Sequence, residues 1–322
     1  MFETNNKKIS IIIACYNEEK SIVPMYERLI KVFERINYSF EIIYVDNDSK
    51  DSSPEVYEDL CNRDKRVKVI LMSRNFGMPQ PQPSFFAGLK YCSGDCAISL
   101  DGDIQDPPEL IPQFIKKWEE GYDVVYGIRK KRQEPWHWQV LYKLFYRFLR
   151  KLAYFNIPVD ASDFGFMDRK VIDELIKFGE RDIVIRGIRP YIGFKQIGIE
   201  YKRDLRKSGK SKANFSNSIV FAKRLVVIFS YKPVEWVSKL ALGVTILAFV
   251  ATVAYLASYL IRQDAPSVSS TIILSILIFS AVQLFALAVI GEYLAKTLEE
   301  VKHRPRFIVK EILNDKSRKL TD

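Results

Sequence analysis

Two long uncharged apolar runs near the end of the chain constrain its fold most strongly. They extend from Leu240 to Ile261 and from Val268 to Gly291, which is 22 and 24 residues without a charged side chain. A helix needs about 20 apolar residues to cross the hydrocarbon core of a bilayer, so each run is long enough to span a membrane. Soluble core helices of this length normally have a charged face. The sequence therefore predicts two transmembrane helices, with two buried helices of a soluble core as the alternative.

The distribution of basic residues predicts how such spans are oriented. Residues 262–267, between the two runs, include one basic residue, whereas the segment after them includes Lys296, Lys302, His303, Arg304, Arg306 and Lys310. Basic residues stay on the cytoplasmic side of a membrane. Residues 1–8 are polar and lack the apolar stretch of a signal peptide. We therefore expect an integral protein of the inner or plasma membrane, with the residues ahead of the spans and both termini in the cytoplasm.

The net charge of +10 is concentrated in two windows, Arg129–Lys151 and Lys202–Arg224, each with eight basic residues and one acidic residue. Nucleic acid is one partner for basic patches, but no nucleic-acid recognition motif accompanies these. Beside two membrane spans, anionic lipid headgroups and phosphorylated substrates are the expected partners. The chain has only two histidines, and Cys92 and Cys96 lack the paired ligands of a zinc site, so histidine-based and zinc-based mechanisms are disfavoured.

Strand and helix patterns alternate over residues 1–127. Strands are predicted at Ser10–Cys15, Phe40–Asp46, Val67–Ser73, Cys96–Asp101 and Asp123–Gly127. Helices are predicted at Glu19–Ile36, Ser52–Asn62, Ser84–Tyr91 and Pro108–Glu120. Such alternation indicates an α/β domain with a parallel sheet covered on both faces. Ligands of these sheets bind beyond the carboxyl ends of the strands, where the polar clusters Tyr16–Glu18, Asp46–Asp48 and Asp101–Gln105 fall.

Two further stretches have apolar residues at helical spacing with basic residues between them. They are Trp138–Leu152 and Phe215–Phe229. A basic amphipathic helix can lie in the membrane interface. Phe215–Phe229 directly precedes the spans, so we expect it at the interface, whereas for Trp138–Leu152 packing against a core is an equal alternative.

Asp101 and Asp103 are carboxylates on alternate residues, and the amide of Gln105 follows them. Oxygen ligands of this kind suit Mg²⁺, which keeps some of its waters and bridges to substrate phosphates. Acidic loops are common, but a position directly after the fourth predicted strand favours a cation site.

Six segments together resemble a known enzyme family. Ile11–Glu18, Val45–Ser49, Arg74–Gly77 and Asp101–Glu109 are similar to the motifs of family-two glycosyltransferases with the GT-A fold. Tyr201–Lys212 and Gly291–Leu294 narrow the resemblance to polyprenyl-phosphate hexosyltransferases. These are relatives of dolichol-phosphate mannose synthase with two C-terminal spans, and include bacterial undecaprenyl-phosphate glucosyltransferases. The resemblance covers nearly the whole chain.

The resemblance implies a division of the chain into four parts. Residues 1–213 are expected to form a cytoplasmic GT-A catalytic domain with a Rossmann-like parallel or mixed sheet. Residues 214–235 would be a juxtamembrane amphipathic helix, 236–295 the two transmembrane helices, and 296–322 a cytoplasmic tail.

It also implies a role for individual residues, by position. The nucleotide would be bound by Ala14, Tyr16, Glu18, Asp46, Asp48 and Asp101. Mg²⁺ or Mn²⁺ on the diphosphate would be held by Asp101, Asp103 and Gln105. The acceptor phosphate would be bound by Arg129, Lys143, Arg147, Arg203 and Ser211. The residues assigned to catalysis are Asp103, Arg129, Asp163, Arg206 and Lys212, with Arg203, Arg206, Ser211 and Lys212 in a loop that closes over donor and acceptor.

The implied reaction is a single inverting transfer of a hexose to polyprenyl phosphate. UDP-glucose and undecaprenyl phosphate are the expected substrates, with UDP-N-acetylhexosamine, a modified pentose donor or GDP-mannose as alternatives. A catalytically silent, membrane-anchored sugar-nucleotide-binding protein is the alternative from another class. The expected partners are thus a UDP-sugar, a polyprenyl phosphate, the membrane and further copies of the chain in a homo-oligomer, and not nucleic acid.

Two departures from the family pattern concern the candidate site residues. Family members commonly have a Lys/Arg pair and a Ser where this chain has Trp138, Gln139 and Tyr142, which leaves Lys143 and Arg147 as acceptor-phosphate candidates on that segment. Where the family often reads Asp-Phe-Arg, the chain reads Asp163–Gly165, so that arginine is absent. Two alternatives stay open for Asp163, which are orientation of the sugar or acceptor and capping of a helix.

Overall fold

The computed structural model describes residues 5–76, 82–129, 144–145, 147–149, 151–153, 161–181, 184–204, 215–262 and 268–314. The strands are β1 (Asn5–Cys15), β2 (Tyr38–Asp46), β3 (Val67–Met72), β4 (Cys96–Asp101), β5 (Val124–Arg129), β6 (Ala161–Asp168), β7 (Gln196–Tyr201) and β8 (Val309–Leu313). The helices are α1 (Glu19–Phe33), α2 (Ser53–Arg63), α3 (Gln82–Tyr91), α4 (Ile111–Glu119), α5 (Arg169–Lys177), α6 (Ile185–Ile192), α7 (Phe215–Phe229), α8 (Lys232–Arg262) and α9 (Val268–Val301). A 3₁₀ turn, Pro108–Leu110, precedes α4.

The eight strands form one mixed sheet in the order β7-β5-β6-β4-β1-β2-β3-β8. Strands β1 to β4 run parallel to one another, and β5 pairs in parallel with β7. Strand β6 runs antiparallel between β4 and β5, and β8 runs antiparallel along β3. The five predicted strands and four predicted helices are all present, with ends that differ by a few residues. The α/β class and the two apolar C-terminal helices are thereby confirmed.

The central strands contain long apolar runs because both faces of the sheet are covered. On β1, Ile11 and Ile13 pack into one core with α1, α2 and α4, while Ile12 packs into a second core with α3, α5 and α6. Parallel strands buried on both faces typically read as continuous apolar runs. Helix α3 lies so close to the sheet that a Cβ on Gly88 would stand 2.2 Å from Ile12 Cγ2. A larger residue at Gly88 would push this helix off the sheet.

Strand β8 returns the chain to the sheet after the two long helices. Ile312 lies opposite Ile70 of β3, and the backbone N–H of Ser73 donates to the carbonyl of Ile308 at 2.9 Å. The sequence predicted no strand at this position, because five residues with two adjacent charged side chains give a weak β pattern.

The chain divides into two compact units. The first comprises residues 1–150, 155–219 and 305–322, and the second comprises residues 151–154 and 220–304. Within it, Lys232–Ala254 and Ile278–Val301 are long and apolar enough to cross a membrane. Their large apolar side chains are exposed, as at Leu247 (68%), Phe249 (70%) and Leu284 (68%). Exposed apolar surfaces of this size typically mark contacts with a membrane or another protein.

The two amphipathic stretches have different outcomes. Phe215–Phe229 forms the predicted helix, α7, in which Leu225 and Phe229 are buried. Most of Trp138–Leu152 lies outside the described residues. Among its described residues Leu149 and Leu152 are buried and Phe148 is exposed. Binding of either stretch to a membrane interface stays a prediction.

Candidate active site

The three predicted polar clusters meet at one edge of the sheet. Ala14 of β1 lies opposite Asp101 of β4, and Cys15 lies opposite Asp46 of β2. The carboxyl ends of three adjacent parallel strands therefore place the two aspartates at the same edge of the sheet, one on each side of β1, as is usual for the ligand edge of a parallel sheet.

The turn after β4 packs tightly against β1. The N–H of Gly102 donates to the carbonyl of Ala14 at 3.0 Å, and a Cβ on Gly102 would lie 2.5 Å from Cys15 Sγ. Ile104 adopts a left-handed φ of 60°, and the N–H of Gln105 donates to Asp103 Oδ1 at 3.2 Å. The glycine is needed for this close approach, and the turn fixes Asp103 beside Asp101. The nucleotide-binding role predicted for Ala14 stays a prediction.

One guanidinium group, that of Arg203, bridges three carboxylates of this turn. Its Nη2 lies 3.4 Å from Asp101 Oδ2 and 3.4 Å from Asp103 Oδ2, while its Nε lies 3.2 Å from Asp106 Oδ1. Asp101 and Asp103 thus converge on a single cationic nitrogen. Two carboxylate oxygens that face one point, partly open to solvent, fit the requirements of Mg²⁺ or Mn²⁺ on a diphosphate.

The pKa of Asp101 is raised by burial and by the acidic groups around it. Burial, together with the nearby charges of Asp106 and Asp103, raises this pKa to about 7, against the opposing effect of Arg129 and Arg203. A cation beside Asp101 would favour the ionised form of this carboxylate.

The described part of the chain has no cluster of three or more His, Cys, Asp or Glu side chains suited to a metal. The amide of Gln105 donates through Nε2 to the carbonyl of Asp204 at 3.1 Å, and a ligand role for Gln105 stays a prediction.

Arg129 lies in a hydrogen-bonded network behind the carboxylates. Its Nη2 donates to Ser162 Oγ at 3.0 Å and stands 3.8 Å from Asp106 Oδ2, while Tyr201 donates its hydroxyl to Asp106 Oδ1 at 2.5 Å. Burial acts to lower the pKa of Arg129, but Asp106 and Tyr201 raise it overall, so the group is a permanent cation. Its contacts are with protein side chains, and a contact with substrate phosphates stays a prediction.

Sequence reasoning gave no role to Asp106, Ser162 or Tyr201. Asp106 is completely buried, and burial together with Asp106 raises the pKa of the Tyr201 hydroxyl. A Cβ on Gly127 would lie 2.5 Å from the Tyr201 ring, so the glycine makes room for the tyrosine. Asp106 and Tyr201 stood inside the family-like segments, which was the available signal for them.

At the end of the site where the nucleotide is predicted to bind, Asp46 organises the loop after β2. Its carboxylate accepts from the Ser49 N–H at 2.9 Å and from Ser49 Oγ at 2.5 Å, and Ser49 Oγ accepts from the Asn17 N–H at 2.8 Å. Burial raises the pKa of Asp46, and Asp48 has a left-handed φ of 62° and pairs with Lys50 at 2.8 Å. Tyr16 and Glu18 are partly exposed just after β1. The loops after β1 and β2 are thus joined by hydrogen bonds.

Asp163 lies within strand β6, so the helix-capping interpretation is wrong. Asp168 is the residue that caps α5, accepting from the Lys170 N–H at 3.1 Å. The Asp163 carboxylate is largely buried, with Oδ2 3.1 Å from Gln82 Nε2 and 3.7 Å from Arg186 Nη1. An orienting role for Asp163 stays open.

The described contacts of the site do not include the remaining predicted residues. Lys143, Arg206, Ser211 and Lys212 lie outside the described residues. Arg147 is described and exposed. Their roles stay predictions.

Residues 10–176 match the model of the family "Glycosyl transferase family 2". An "Uncharacterized glycosyltransferase YkcC" of Bacillus subtilis is 36% identical over 97% of this chain and 96% of its own length. A "Prophage bactoprenol glucosyl transferase homolog" of Escherichia coli is 31% identical over 95% of this chain and 99% of its own length. The "Bactoprenol glucosyl transferase" of Shigella phage SfV is 31% identical over 94% of this chain and 98% of its own length.

Among solved structures, Staphylococcus aureus TarS 1–349 in complex with UDP-GlcNAc is similar, with a TM-score of 0.47 and 18% identity, over 69% of this chain and 66% of TarS 1–349.

Proposed function

The chain belongs to glycosyltransferase family 2 and is a glycosyltransferase, and on that premise we propose that it transfers glucose from UDP-glucose to undecaprenyl phosphate. The observation that supports this most is the convergence of Asp101 and Asp103 on one cationic nitrogen, in a chain with two helices of membrane length. Relatives named for glucosyl transfer to bactoprenol align along nearly the whole chain.

In the proposed reaction a phosphate oxygen of the lipid attacks the anomeric carbon of glucose. The bond from that carbon to the diphosphate breaks, UDP leaves with the electron pair, and the anomeric configuration is inverted. The acceptor phosphate is already an anion, so it needs no strong general base. The main demand on the protein is to stabilise the negative charge that develops on UDP.

Asp101 and Asp103 are proposed to hold Mg²⁺ or Mn²⁺, which when bound would neutralise part of the diphosphate charge. Because Arg203 stands at that position, its guanidinium would have to move as a cation and donor bind. Displaced from the carboxylates, it would be free to bind the acceptor phosphate. Asp106 and Tyr201 would keep Arg129 in place behind the diphosphate. The joined loops of Tyr16, Glu18, Asp46 and Asp48, with Ala14 beneath them, are proposed to bind the nucleoside.

The lipid acceptor requires the enzyme to work at a membrane. We propose that α8 and α9 span the bilayer with both termini in the cytoplasm, where sugar nucleotides are made. The basic residues after α9 and the single basic residue between the two runs support this orientation. Association into a homo-oligomer is a further prediction, which light scattering of the purified protein in detergent would test.

A donor panel tests the proposal and separates it from its alternatives. Purified protein would be incubated with undecaprenyl phosphate, Mg²⁺ and, in turn, UDP-glucose, UDP-N-acetylglucosamine, a UDP-pentose and GDP-mannose. Lipid-linked product from UDP-glucose above the others supports the proposal, and product from another donor reassigns the sugar. Binding of UDP-sugars without any transfer would support the catalytically silent alternative.

A further inference from the structure

Arg189 of α6 is an interior arginine without a role so far. It is 1% exposed, its Nη2 donates to the carbonyl of Ser162 at 2.9 Å, and its guanidinium lies 5.1 Å from the centre of the Tyr126 ring. Its Nε and Nη1 are buried without a hydrogen-bond partner among the described residues. Burial lowers the pKa of Arg189 to about 10, with Asp163 acting in the opposite direction, so the group stays charged at neutral pH.

The structure makes specific room for this guanidinium. A Cβ on Gly165 of β6 would lie 2.8 Å from Arg189 Nη1 and 3.1 Å from the carbonyl of Val125. Gly165 is not among the described residues with positive φ, so its backbone conformation does not call for glycine. The space taken by Arg189 explains the glycine.

Arg189 contacts the strand segment that adjoins the candidate active site. It binds the carbonyl of Ser162, whose hydroxyl accepts from Arg129 at 3.0 Å. In the antiparallel pair of β4 and β6, Ser99 lies opposite Gly165. Asp163 stands two residues before Gly165 on β6, and Asp101 stands two residues after Ser99 on β4, so both lie toward the same end of the pair. The Ser162–Asp163 segment is therefore held by two arginines beside the carboxylates.

A buried charge with unused donors is a poor means of stabilising a fold. Desolvating a guanidinium costs several kcal/mol unless its donors are paired, and apolar replacements of such groups are often neutral or stabilising. The Asp163 side chain, 11% exposed, likewise has a buried Oδ1 without a hydrogen-bond partner in the described part of the chain. Arg189 and Asp163 thus have buried polar atoms without hydrogen-bond partners among the residues described, on either side of the Ser162–Asp163 segment. This arrangement indicates a role in function and not in stability.

We propose that Arg189 is a positioning residue for sugar transfer, which fixes the Ser162–Asp163 segment so that the Asp163 carboxylate accepts a hydrogen bond from a hydroxyl of the donor sugar. This inference rests on the proposed function. It adds a recognition element for the sugar, separate from the groups that bind the nucleotide and diphosphate. Gly165 contributes to the same positioning, because any side chain at this residue would displace the Arg189 guanidinium.

The test compares Arg189→Met, Arg189→Lys and Gly165→Ala with a control, Arg63→Met. Arg63 is an exposed arginine of α2 paired with Asp59. Steady-state transfer kinetics, calorimetric binding of UDP and UDP-glucose, and thermal unfolding are measured in the same detergent. Arg189→Met and Gly165→Ala should lower kcat by about tenfold or more, which corresponds to about 1.4 kcal/mol of transition-state stabilisation. They should also weaken UDP-glucose relative to UDP, while Arg189→Lys recovers part of both losses.

A purely structural role predicts a different pattern. It would lower the unfolding temperature of Arg189→Met and leave kcat per folded molecule unchanged, and that result would overturn the inference. Additive effects of Asp163→Asn and Arg189→Met on kcat would also overturn it, because residues that act through one another are not additive. If the wild type transfers no sugar, the proposed function fails. The ratio of UDP-glucose to UDP affinity still tests Arg189, and equal ratios in wild type and Arg189→Met would refute its role.

Discussion

Arg203→Gln provides a sharp test of whether the cation site is built as the structure indicates. The Arg203 guanidinium stands between Asp101 and Asp103, where a divalent cation is proposed to bind. In the absence of nucleotide, the side chain and the metal must compete for the same carboxylates. Replacing Arg203 with an uncharged residue of similar length should therefore increase the affinity for Mn²⁺, even as it slows transfer.

The size of the effect follows from the two ion pairs. At 3.4 Å and an effective dielectric constant of about 20, each pair has a Coulomb energy of about 5 kcal/mol before solvation is considered. The Arg203 side chain is 27% exposed, so desolvation and screening cancel most of this, and about 0.5–1 kcal/mol for each pair is realistic. Two pairs give about 1–2 kcal/mol, or roughly 5- to 30-fold in the Mn²⁺ dissociation constant.

The assay is a titration of the nucleotide-free protein with Mn²⁺, in which free Mn²⁺ is followed by electron paramagnetic resonance. Arg63→Gln serves as the control, because it removes the same charge from an exposed pair on α2. Tighter Mn²⁺ binding in Arg203→Gln alone is the expected result. If its affinity equals that of the wild type or is weaker, Arg203 does not occupy the cation position, and the account of the site is wrong.

Three further predictions concern the site and the topology. Asp103→Ala should abolish transfer, because it removes one of two carboxylates from the proposed cation site, while circular dichroism and membrane insertion stay as in the wild type. On a cysteine-free background, a cysteine at Ser267 should react with an impermeant reagent from outside the cell and one at Ser317 only after lysis; the reverse pattern would reject the topology. Arg206→Ala and Lys212→Ala should each lower kcat by an amount equivalent to about 2–4 kcal/mol while UDP affinity changes little. Loss of membrane association with kcat unchanged would make that loop a lipid anchor.

The sequence was sufficient to predict the central strands because they are buried on both faces. Ile11 to Ile13 and the apolar residues of β4 leave no periodicity to misinterpret, and polar residues follow them directly. The pairing of strands that are distant in sequence, by contrast, cannot be predicted from a local residue pattern. Strand β8 lies some 240 residues from its partner β3, and it is defined by backbone pairing that its five residues do not signal.

The same distinction separates the two halves of the site. Asp101 and Asp103 were predictable because two residues only two positions apart at a strand end must lie close together. Arg189 was not, since its importance depends on the space above Gly165 and on packing between α6 and β6. The helix-capping alternative for Asp163 failed for a related reason. Sequence alone does not tell a strand aspartate from a capping one when the following helix begins only at Arg169.

The most direct test of the central claim is whether the purified protein makes glucosyl phosphoryl undecaprenol. The protein would be incubated with radiolabelled UDP-glucose and undecaprenyl phosphate, and the lipid fraction counted with Mg²⁺ present, after EDTA treatment, and after EDTA followed by Mn²⁺. The account predicts labelled lipid with Mg²⁺, none in EDTA, and recovery with Mn²⁺. Full transfer in EDTA would contradict the cation site, and absence of labelled lipid under every condition would contradict the proposed reaction itself.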